Sequence, residues 1–154
     1  MMATLYTVFL VIHIVAGTVC LLAGGIAIGV RKRRGVHTLV GEAYHAFYFV
    51  VFITSVAMAI MKWSTLQYLF YIALFSYGQA LYGYLARKRR WDGWLRKHII
   101  GMLGSYIGII TAVLVVNGED IASLTGMPAI MLWFIPTVIG TPLIIRTVNR
   151  FVRA

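Results

Sequence analysis

Arg87-Lys88-Arg89-Arg90-Trp91-Asp92-Gly93-Trp94-Leu95-Arg96-Lys97-His98 is a strongly basic stretch set between two long apolar runs. A shorter version stands earlier, Arg31-Lys32-Arg33-Arg34-Gly35-Val36-His37. In both, an Arg-Lys-Arg-Arg cluster is followed by a histidine that opens a new apolar run. Charge bunched at the ends of apolar segments is the pattern of membrane-anchored turns, not of a solvated surface.

Composition agrees. The chain has 154 residues, of which 61% are hydrophobic and 12% charged, against about a quarter charged in soluble domains. Mean hydropathy is +0.88. Apolar runs of transmembrane length recur. The expected fold is all-α, an integral membrane bundle of five transmembrane helices at about residues 4–30, 37–61, 68–86, 98–116 and 128–149. Residues 1–154 then form a single transmembrane domain, because the loops are too short to hold another.

The net charge is +10. The charges flank apolar runs, so they point to anionic headgroups of the bilayer at the cytoplasmic face and to no nucleic acid. Every Lys and Arg except Lys62 falls on one side of the proposed spans, including Arg146, Arg150 and Arg153. This asymmetry orients the chain N-out and C-in, as a multi-pass protein of the cytoplasmic (inner) membrane. The first apolar run has its positive charge after it, the reverse of a signal peptide, so it reads as a retained helix. Residues 62–67 and 117–127 become outer loops, the latter holding Glu119 and Asp120. Helices 1–2 and 3–4 look like parallel copies of one hairpin.

Ionisable groups at membrane depth are the pointers to function. His37 and His98 each open a helix at the inner edge, where the helix dipole favours a neutral imidazole. Neutral imidazoles ligate iron and zinc. By depth these two are level, so they are the metal candidates and the first cofactor-binding candidates, for haem b or a transition metal. Both positions equally suit polar residues resting beside headgroups. Glu42 lies inside the second apolar run with His45 three residues on, on the same face. Arg146 could pair with Glu42 or leave it to handle protons. His45, Gln79, Tyr106 and Thr141 fall about 12 Å above the inner edge and suit either a polar layer or interhelical glue.

His13 lies higher, in the row His13-Gly17-Cys20-Gly24, whose small residues allow close packing; it points into the bundle, and with His45 it is a further cofactor-binding candidate, or else a satisfied interior histidine. Thr54, Ser55 and Trp133 fall at a neighbouring level. Helix four carries the comparable row Gly101-Ser105-Gly108-Ala112. His13 and His45 differ in depth by about 10–13 Å, too far to share one iron. Pro136 and Pro142 make the last span the least regular. Cys20 has no partner for an intrachain disulfide. No GxSxG, HExxH, CxxC or glycine-rich phosphate loop is present.

The row His13-Ile14-Val15-Ala16-Gly17 with Gly24-Gly25, His37-x-x-x-Gly41-x-x-Tyr44, His98 with Gly104-Ser105-Tyr106, Thr111-Ala112-x-Leu114-Val115-Val116-Asn117, and Trp133-x-x-Pro136-Thr137-x-x-Gly140 resembles a bacterial family of small polytopic membrane proteins, a predicted membrane domain of unknown function. The resemblance covers nearly the whole chain and implies a helical membrane fold without naming an activity. A looser resemblance, to membrane b-type cytochromes and ferric reductases, comes from histidines set in a helical bundle. Three functions fit these residues. One is a histidine-lined intramembrane site for haem, a metal or a small redox molecule. Another is a small proton-coupled transporter or channel-like protein using Glu42 and His45. The third is an accessory or assembly subunit of a membrane complex. Partners would be a homo-oligomer or a membrane partner subunit.

Overall fold

A computed structural model describes residues 2–33 and 35–152. Arg34 and Arg153, counted above among the inside charges, lie outside the described residues. The described chain is all-α with no strand. Its six helices are α1 (Met2–Gly29), α2 (Val36–Met61), α3 (Trp63–Lys88), α4 (Trp94–Val116), α5 (Gly118–Thr125) and α6 (Met131–Val152). Helices α1, α2, α4 and α6 are long and apolar enough to cross a membrane. With its 26 residues α3 is long enough, about 39 Å. Ser64, Thr65, Gln67, Ser76 and Gln79 make it less apolar.

The chain divides into two compact units, Met1–Tyr77 and Gly78–Ala154. In the first, α1 packs along α2. Ala16, Cys20, Ala23 and Gly24 are the buried side of α1, and Tyr44, Tyr48, Thr54, Met58 and Ala59 that of α2. Buried α1 residues are thus small, the composition that lets helices approach when lipid removes any hydrophobic drive for them to associate. The row inferred from spacing faces α2: His13 meets Thr54, Gly17 meets Val51 and Cys20 meets Tyr44.

In the second unit α4 packs on α6 and touches α5. Buried residues are Gly101, Ser105 and Ile109 of α4 with Leu132 and Pro136 of α6. The C-terminal half of α3 meets α4 through Gly83 and Gly101. A Cβ on Gly101 would stand 2.6 Å from the Gln79 carbonyl oxygen and 2.7 Å from Gly83 Cα. These contacts are backbone on backbone, so only glycine fits.

Several expected boundaries change. α4 begins at Trp94, four residues before His98, so that histidine lies in the second turn of the helix and does not open it. The outer loop expected at 62–67 is Lys62 alone, because the Thr65 and Leu66 N–H groups already bond the Lys62 carbonyl and start α3. The chain reverses there: Tyr77 packs back on Phe52 of α2 at 4.7 Å between ring centroids. The loop expected at 117–127 holds α5, whose first turn carries Glu119 and Asp120 at its positive end. Gly126 closes it in the left-handed conformation, φ 70°. The last long helix begins at Met131, not Pro128. Three successive bonds of i+3 type, from Met131, Leu132 and Trp133 back to Pro128, Ala129 and Ile130, make a tight turn before it. Both Pro136 and Pro142 sit inside this helix.

Candidate functional site

The two histidines that follow the basic turns are held alike. His37, in the first turn of α2, is half-buried, with Nδ1 3.1 Å from the Ala27 carbonyl oxygen of α1. His98, in the first turns of α4, is half-buried, with Nδ1 3.0 Å from the Gly83 carbonyl oxygen of α3. A carbonyl can only accept, so Nδ1–H donates in both, and the lone pair of the neutral ring sits on Nε2. Such a bond from one ring nitrogen is the usual support behind a metal-ligating imidazole, because it fixes the tautomer and the ring's aim. His37 belongs to the first unit and His98 to the second.

His13 shows the same tautomer by another route. Its Nδ1 lies 3.0 Å from Thr54 Oγ1 and 3.5 Å from Ser55 Oγ. The Thr54 hydroxyl donates to the Val50 or Val51 carbonyl at 2.8 or 3.0 Å. That hydroxyl therefore accepts from His13 Nδ1–H. Cys20, fully buried, donates its thiol to the Tyr44 carbonyl at 3.5 Å. Two polar side chains of α1 are thus absorbed by α2.

His45 is half-buried on α2. Its ring stacks on Tyr77 at 5.9 Å, and its Nδ1 is shielded from solvent. Tyr77 also contacts Tyr48 and Phe49, each at 5.8 Å. The Tyr48 hydroxyl bonds Ser76. His45 therefore belongs to an aromatic seam between α2 and α3. Glu42 is half-buried on the same helix. Within the second unit Gln79 and Tyr106 are half-buried, with the Gln79 amide packed against Gly104. Thr141 and Arg146 are exposed on α6.

Among the described residues, no three of His, Cys, Asp and Glu gather to hold a metal ion. What His37 and His98 each offer is a neutral imidazole with its lone pair on Nε2.

Sequence reasoning did not find the closing carbonyls or the role of Lys32. That ammonium donates to the carbonyls of Ala27 (2.7 Å), Ile28 (2.5 Å) and Val30 (3.0 Å) and caps the end of α1. Partial burial pulls its pKa below the ordinary lysine value; the three carbonyl bonds act in the opposite sense. A lysine directly after an apolar helix is the signal that could have shown it. Compared with known proteins, the chain matches no family model, no curated protein and no solved structure.

Proposed function

We propose that this chain is a five-span protein of the cytoplasmic membrane, N-terminus outside and C-terminus inside, that binds haem b or a transition metal at His37 and His98. It belongs with the small polytopic bacterial membrane proteins it resembles, and its two hairpins are copies of one unit. The observation carrying the function is the shared Nδ1–H bond of His37 and His98 to a carbonyl of the preceding helix. It makes Nε2 the electron-pair donor of both rings and aims each ring from a fixed backbone. In this reading α3 is the fifth span. Of its polar residues, Ser76 is taken up by Tyr48 of α2, beside the Tyr77–Phe52 stack. The basic turns lie at the anionic headgroups.

The test is the absorption spectrum of the purified chain, with metal analysis on the same sample. A Soret band that is lost in H37A or H98A is expected. A colourless, metal-free preparation from cells supplied with haem and iron overturns the reading.

A second reading is an accessory or assembly subunit, favoured by the bonds that consume His13 and Cys20 between α1 and α2. It predicts a stoichiometric membrane partner on gentle purification and no chromophore.

A further inference from the structure

The two basic turns share a sequence pattern but not an arrangement of charge. In the second, Arg90 lies over the Trp94 ring at 4.7 Å and Lys88 over Tyr84 at 5.3 Å. Asp92 stands in the same turn. Its cations are spread over aromatic faces and partly balanced. The first turn holds no acidic residue. Val30, Arg31, Arg33, Gly35 and Val36 line an open hollow of about 350 Å³ there. Among the described residues neither the Arg31 nor the Arg33 guanidinium has an ion pair or ring contact.

We infer that this first turn binds a phosphate group in the hollow between Arg31, Arg33 and the start of α2. Arginine presents a planar fork of donors that matches phosphate oxygens two at a time. Arg31 and Arg33 both line one concavity. Lys32, between them, is already committed to three carbonyls of α1. Its charge answers the negative end of that helix and leaves the arginines to an outside anion. The rim on the other side is the opening of α2. Gly35 precedes it at φ 114° and supplies no side-chain cap. The positive end of α2 therefore adds to the field of the arginines.

The chemistry fits a phosphodiester of a lipid headgroup or a free phosphate. The lipid source rests on the membrane-face placement proposed above; the phosphate chemistry itself does not, and it is independent of the histidines.

The experiment uses the full chain in a neutral detergent. Native mass spectrometry reads binding of phosphatidylglycerol against phosphatidylcholine, and calorimetry reads inorganic phosphate. The R31Q/R33Q variant is compared with R89Q/R90Q, which removes the same charge from the other turn. About a tenfold loss of affinity is expected in R31Q/R33Q, the scale of losing one charge-assisted contact, and less than about twofold in R89Q/R90Q. Should the double variant fail to fold, R33Q alone carries the comparison. Binding of phosphatidylglycerol without inorganic phosphate assigns the site to a headgroup, and binding of both assigns it to phosphate in general. Equal losses in the two variants, or no preference of the unaltered chain for either anion, overturn the inference. The Soret band of R31Q/R33Q is read in parallel. In the unaltered chain, a Soret band without phosphate binding overturns this inference alone, and phosphate binding without a Soret band overturns the histidine reading alone.

Discussion

The α1–α2 and α3–α4 pairs share the same kind of basic turn and a histidine that follows it, yet they are held in different ways. In the first, helices meet through side chains: His13 on Thr54, Cys20 on the Tyr44 carbonyl, Lys62 over Tyr6 at 4.1 Å. Gly17 leaves room there, since an added Cβ would meet Val51 at an ordinary 4.0 Å. In the second, backbones touch at Gly83 and Gly101, and no added atom fits. A shared motif at a turn therefore does not determine how the helices beyond it pack. What decides is whether the facing positions carry polar side chains or none.

The largest effect that would sharpen this contrast is Gly101→Ala. The new methyl meets backbone of Gln79 and Gly83, which cannot rotate away, so about 2–3 kcal/mol of stability should be lost in a denaturing-detergent titration. Next come the histidines. His98→Ala removes a bond to a carbonyl and should cost about 1–2 kcal/mol. His37→Ala should cost less, because Lys32 Nζ still reaches the Ala27 carbonyl. Equal losses would mean that the two bonds are equivalent and that Lys32 contributes nothing to the first. Thr54→Val keeps shape and removes the acceptor for His13; interhelical bonds of this kind in membranes average about 0.6 kcal/mol. The smallest effect belongs to Gly17→Ala, within about 0.5 kcal/mol. A Gly17→Ala loss as large as that of Gly101→Ala would erase the contrast altogether.

Much of the helical framework was legible because it depends on period and polarity alone. The row His13-Gly17-Cys20-Gly24 repeats at helical spacing, and that spacing places it on one face whatever the partner. The same holds for Gly101 and Ser105. Depth counting brought Thr54 and Ser55 to the level of His13, because antiparallel helices joined by a short turn have complementary numbering. The reversal at Lys62 was not legible. Its surroundings, Trp63-Ser64-Thr65-Leu66-Gln67, look like a polar loop, and only the bonds onto the Lys62 carbonyl show a helix already begun. Nor did spacing reveal that the histidine rings end on Ala27 and Gly83. A backbone carbonyl is the same at every residue, so no side-chain pattern announces which one will accept. The histidines could thus be singled out one by one from the sequence, and their tautomers only from geometry.

The single-residue reversal at Lys62 also bears on where the chain can be cut or lengthened. A turn with no slack gives a protease no extended segment to bind, and an inserted epitope there must unwind the end of α2 or the start of α3. The stretch Ser123 to Gly126 is different, exposed throughout and closing its helix at Gly126. Of the two connections, it is the one that can carry a tag or a fluorophore without disturbing the long helices.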